Sequence, residues 1–108
     1  MGRGQKAFLS INMFTVQLFQ TATADLQESY DWYEEQNKGL GERFIIEVDV
    51  YLGLIAENPF QFAVQFSGKY HFALLKQFPF RIVYRVDENR KHVYVSAIFH
   101  TSRDPKRF

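Results

Sequence analysis

The sequence predicts an α+β domain: a helix hairpin packed on one face of a mostly antiparallel sheet, in the order βααβββ. Three observations carry this. Apolar residues recur with a helical period between about Asp25 and Glu57, and with a period of two from Phe60 onward. Stop signals stand where one pattern ends, at Asn37-Lys38-Gly39 and at Asn58-Pro59. A length of 108 residues suits one domain with its own core.

The first strand is expected at Phe14, Val16 and Leu18, which alternate with Thr15 and Gln17. Residues 1–12 are expected to be a disordered extension from a misassigned start, with Met13 as the true start. The uncharged stretch Ala7 to Ala24 ends in Ala22-Thr23-Ala24, as a signal peptide does. Ser10, Asn12, Thr15, Gln17 and Gln20 interrupt it, which argues against a signal peptide and against a membrane span. Residues 13–108 are then the single domain.

A first helix follows. Thr21 or Thr23 is expected to cap it, with Asp25 and Glu28 near its positive end. Leu26, Tyr30 and Tyr33 share one face, and Asp25, Glu28, Asp31 and Glu35 the solvated one. Trp32, Tyr30 and Tyr33 are expected between the helices. Gly39 suits a left-handed position. A second helix is expected from about Leu40 to Glu57, with Phe44, Val48, Leu52 and Ile55 as its main stripe. Then come a turn at Ser67-Gly68-Lys69 and strands at Tyr70–Phe78, Phe80–Asp87 and His92–Thr101.

Parity along the strands separates two faces. Phe80, Ile82, Tyr84 and Val86 should meet the helices, as should Val93, Val95, Ala97 and Phe99. The open face should show Phe72, Leu74, Lys76, Arg81, Arg85, Tyr94, Ser96, Ile98 and His100. The tail's Arg103, Lys106 and Arg107 should lie nearby. Apolar, aromatic and arginine side chains together suit a protein interface or an RNA surface.

Charge points the same way. Residues 1–54 hold 4 Lys/Arg against 8 Asp/Glu, and residues 55–108 hold 9 against 4, within a net charge of +1. A basic half suits an acidic partner or nucleic acid. There is no cysteine, which excludes a disulfide framework, a thiolate zinc site and a cysteine nucleophile. His71, His92 and His100 lack metal-ligand spacing. No P-loop or Gly-x-Gly-x-x-Gly occurs, so no metal or cofactor is expected. Ser102 beside His100 reads as part of a turn rather than a nucleophile with its base.

Asp25-Leu26, Trp32-Tyr33-Glu34-Glu35-Gln36, Gly39-Leu40-Gly41-Glu42-Arg43-Phe44 and Asn58-Pro59 resemble the helix hairpin of RelE/ParE-type toxins. Leu74 to Val86 resembles their central strands, and Ala97 to Pro105 their last strand and its exit. The match runs in order over roughly residues 13–108. It implies a cytoplasmic toxin of a type II toxin–antitoxin pair, of the plasmid-stabilisation kind, held by a cognate antitoxin. RelE-like members cut messenger RNA on the ribosome; ParE-like members poison DNA gyrase. The RelE-like reaction draws on lysines of the second strand, an arginine of the third, and an arginine and a tyrosine after the last. Arg81 and Arg103 match the arginines, but the lysine positions fall on Phe72 and Leu74 and the tyrosine position on Phe108. His100 stands where some relatives use a histidine. Arg81, His100 and Arg103 are therefore the catalytic candidates if the chain is a nuclease, while the missing lysines and tyrosine favour the gyrase class. A non-toxic domain that keeps only the antitoxin interface is the third reading.

Overall fold

The computed structural model describes residues 13–65 and 68–102. Its elements are β1 (Thr15–Leu18), α1 (Gln20–Gln36), α2 (Leu40–Glu57), a 3-10 turn (Pro59–Gln61), β2 (Ala63–Gln65), β3 (Tyr70–Leu74), β4 (Phe80–Asp87) and β5 (His92–His100). The five strands form one sheet in the order β1-β5-β4-β3-β2. β1 runs parallel to β5, and the other pairs are antiparallel. The α+β class and the βααβββ order stand, with one short edge strand, β2, added before β3. Residues 1–12 and the tail with Arg103, Lys106, Arg107 and Phe108 lie outside the described residues.

α1 begins two to four residues earlier than a cap at Thr21 or Thr23 implies. Phe19, in extended conformation, occupies its N-cap position without a side-chain cap. Thr21 and Thr23 sit inside the first turn, where Thr23 Oγ1 donates back to the Phe19 carbonyl (3.3 Å). At the other end Gly39 adopts φ 91°, the left-handed value that lets the chain reverse. The exposed N–H groups of α2 are then met from α1. Glu34 accepts from Gly39 N (3.0 and 3.1 Å to its two oxygens) and from Glu42 N (3.1 Å). The Gly39 bond, above all, holds the Glu34 carboxyl below its ordinary range. At Gly41 the two helices nearly touch. A Cβ there would lie 2.7 Å from the Tyr30 carbonyl oxygen and 2.7 Å from Glu34 Cγ.

The core lies between the hairpin and the sheet. Phe44, Val48 and Ile55 of α2 and Ala22 of α1 are buried against Ile82, Tyr84, Val93, Val95 and Ile98. Phe44 joins the layers, its ring 4.8 Å from Phe80, 5.3 Å from Tyr33 and 5.4 Å from Phe78. Burying such a side chain contributes about 1.5–3 kcal/mol. Tyr84, also fully buried, donates to the Pro59 carbonyl (2.6 Å), and burial pushes its hydroxyl pKa up. Its ring stacks on buried His71, whose Nδ1 donates to the Phe62 carbonyl (2.9 Å).

β3 stops at Leu74, four residues short of the expected Phe78. Residues 75–79 form a loop held from α2, where Glu47 accepts from Gln77 N (2.8 Å) and Phe78 N (3.1 Å).

A bulge in β5 changes the expected parity. Tyr84 pairs with Val95 and the preceding Val83 with Ala97, so Ser96 is the extra residue. Before the bulge, Val93 and Val95 face the helices as expected. Past it, Ile98 joins the helix-side core, while Ala97 and Phe99 turn to the other face. Ile98 and His100 thus face opposite to the expected side, as do Ala97 and Phe99. α1 supplies the bonds that the ladder loses. Asp25 accepts from Ile98 N (3.0 Å), and Thr21 Oγ1 donates to the Ser96 carbonyl (2.7 Å). Asp25 is therefore buried rather than part of the solvated face. Asp25→Ala should cost about 1–3 kcal/mol, because it leaves the buried Ile98 N–H unpaired. A melting temperature within 1 °C or so of the parent would contradict this, given about 4–8 °C per kcal/mol for a domain of this size.

Candidate functional site

The face away from the helices has an apolar centre and a cationic rim. Phe72 of β3, Val83 of β4 and Ala97 and Phe99 of β5 form a second buried cluster, with Tyr70 packed against it. Phe72 is on the expected side, yet only 6% exposed. Leu74 stands at the end of β3, 55% exposed, directly across the ladder from Arg81. Arg81 and Arg85 follow the β4 alternation to this face, half-buried. Arg85 does not pair with Asp87. Its guanidinium lies over the Tyr94 ring, 4.8 Å from the centroid. Asp87 instead meets Arg90 at 3.9 Å, across the turn. Tyr94 is fixed by Phe19 on one side (5.6 Å) and His92 on the other (4.9 Å).

Two predicted members are placed elsewhere. Lys76 is on the loop after β3, beside Arg43, Ile46 and Val50 of α2. His100 points to the helix side, edge-on to Phe80 at 5.3 Å. Its Nδ1 accepts from Ser102 N (3.1 Å) and lies 2.8 Å from Ser102 Oγ, so its ring proton sits on Nε2. This is a contact within one turn, between residues two apart in sequence. The ladder pairs Phe80 with His100 and Arg81 with Phe99, so Arg81 and His100 project from opposite faces.

One concavity was not foreseen. Glu28, Ser29, Trp32, Tyr33, His100 and Ser102 line a groove of about 470 Å3 between α1 and the end of β5. Trp32, expected between the helices, is 56% exposed here. Tyr33 packs on Phe44, Phe78 and Phe80, and Tyr30 lies against Gly41 of α2 as expected; Trp32 turns away because adjacent helix residues point about 100° apart. That spacing was the available signal.

Among the described residues no three His, Asp or Glu side chains group as metal ligands. No described helix is long and apolar enough to cross a membrane. What the sheet face exposes is Leu74 at the end of β3, beside a stacked aromatic and two half-buried arginines whose charge favours carboxylates or phosphates.

Comparison with known proteins agrees with the fold. The sequence profile described as ParE toxin of type II toxin–antitoxin system, parDE, matches residues 16–105. No curated protein matches in sequence. Among solved structures, the chromosomal ParDE system of P. aeruginosa superposes with a TM-score of 0.72 at 18% identity, over 84% of this chain and 99% of that one. The RelBE2 toxin–antitoxin complex of Mycobacterium tuberculosis gives 0.63 at 18% identity, over 86% and 97%. The isolated E. coli RelE toxin gives 0.63 at 15% identity, over 86% and 89%.

Proposed function

The chain belongs to the family of ParE toxins of type II toxin–antitoxin systems, and from that premise we propose that it arrests growth in the cytoplasm by binding DNA gyrase and is held inactive by a cognate antitoxin. The observation that supports binding over RNA cleavage is the arrangement around Arg81. Its neighbours on the sheet face are Leu74 and the buried Phe72, where a nuclease of the RelE kind needs cations, and His100 is on the opposite face. Metal-independent cleavage requires an acid, a base and a phosphate clamp in reach of one phosphodiester. Exposed Leu74 beside half-buried arginines suits a protein surface better. Leu74, Arg81, Arg85 and Tyr94 are the contact residues. The antitoxin should cover the same chemistry with acidic residues set among Leu, Ile or Phe anchors.

The test is a supercoiling assay with purified gyrase and relaxed plasmid. The wild-type chain should abolish supercoiling at micromolar concentration, and Leu74→Glu with Arg81→Glu should weaken this about tenfold or more. Pulse labelling of induced cells separates the targets. Thymidine uptake should fall before leucine uptake. A prior fall in leucine uptake, with cut message, would replace this reading with ribosome-dependent cleavage.

A further inference from the structure

The outer surface of α2 carries residues that the fold does not use. Ile46 is 61% exposed, Val50 54% and Leu54 36%, four residues apart along one ridge. Gly53 lies on the same face. An added Cβ at Gly53 would meet no atom within 4 Å, so close packing inside the chain does not require the glycine. A mid-helix glycine is a poorer helix former than alanine, and its use is to let another backbone come near. Arg43 and Glu57 close the two ends of this face. Both are exposed, and neither forms an ion pair among the described residues.

The order of these residues is symmetric about Val50. Ile46 and Leu54 are four positions to either side, and Arg43 and Glu57 seven. A second α2 laid antiparallel, with a two-fold axis at Val50, sets Ile46 against Leu54 of the other copy and Val50 against Val50. It also brings Arg43 toward Glu57 at both ends, about 10.5 Å from the axis. A two-fold interface must be self-complementary in this way, each residue i meeting j while j meets i. The ridge of residues four apart is also the one that packs into the groove of a like helix. An unrelated partner would have no reason to match an apolar ridge whose charges reverse sign about its midpoint.

We propose that the outer face of α2 is a homodimer interface, in which two copies of this chain pack antiparallel about Val50 and exchange Arg43–Glu57 ion pairs. One helix pair reaches only the lower end of specific interfaces, about 1,000 Å2 in total. Association is therefore expected at micromolar concentration, about 1–100 μM. The sheet face that carries the proposed gyrase contacts stays free in this dimer, so the two proposals stand or fall separately.

The experiment is sedimentation equilibrium of the full chain, made by cell-free synthesis, over a concentration series. The mass should rise from 12.8 kDa toward twice that value. Arg43→Glu alone and Glu57→Arg alone should each weaken the dimer about tenfold, and the two together should restore it to within about threefold of wild type. Gly53→Gln provides a control for folding, since it should raise the melting temperature of the monomer while blocking the close approach. A chain that stays monomeric throughout, or a dimer indifferent to Arg43→Glu and Gly53→Gln, would overturn the proposal. So would a monomer whose antitoxin affinity falls with Gly53→Gln, because the face would then belong to the antitoxin.

Discussion

Alanine at position 41 should remove about 2–3 kcal/mol of stability, although alanine is the better helix former. The new methyl would press on the Tyr30 carbonyl oxygen at 2.7 Å and on Tyr30 Cδ1 at 2.8 Å. A backbone oxygen cannot rotate aside, so the hairpin must open. Opening it also pulls Glu34 from Gly39 and Glu42, the donors it satisfies at the start of α2. Gly53→Ala is the matched control, since space there is empty, and it should gain about 0.5–1 kcal/mol. Urea denaturation of both variants checks the pair. Shifts of the same sign would refute the close approach at Gly41.

Phe44→Ala should cost more, about 3–5 kcal/mol. The ring is fully buried and touches α1 through Tyr33, the loop after β3 through Phe78, and β4 through Phe80. These parts come from three stretches of sequence, so the void cannot be closed by moving one of them. A domain with about 5–15 kcal/mol in total would be left marginal. Phe44→Leu, which keeps most of the volume, should cost roughly half as much. The midpoint of urea unfolding measures this, and an unchanged slope would attribute it to the native state. A loss below about 1 kcal/mol for Phe44→Ala would mean that hairpin and sheet are joined elsewhere.

The sequence made the helices and most strands legible because their signals are local. α2 runs from Leu40 to Glu57 as its periodicity predicts, with a left-handed glycine before it and Asn58-Pro59 after. β4 turns Phe80, Ile82, Tyr84 and Val86 to the helix-side core and Val83 to the other face, as its parity predicts. The errors share another cause. Ala97-Ile98-Phe99 is apolar at every position, so it fits either face. What decides is the bulge at Ser96, and that bulge is sustained by Asp25 and Thr21, more than seventy positions away. For the same reason Asp25 looked like a solvated helix residue. β2 is three residues long, too short for an alternation to register. At the site, parity along β4 placed Arg81 and Arg85 on the sheet face. It could not place His100, whose direction depends on the bulge, nor Lys76, whose strand ends early.

The position of β5 governs when this chain can become a folded protein at all. β5 is the last strand in sequence but an interior one in space, with β1 on one side and β4 on the other. On a translating ribosome, β1 emerges first and then waits for a partner 77 residues later in the chain. Until His92 to His100 have cleared the exit tunnel, the helix hairpin has only part of a sheet to cover. Contacts so distant in sequence form late and slowly. A nascent chain therefore cannot close this core until β5 has emerged and taken its place between β1 and β4. A message broken anywhere before β5 would yield protein without a closed core, which is fit for proteolysis rather than for poisoning a cell.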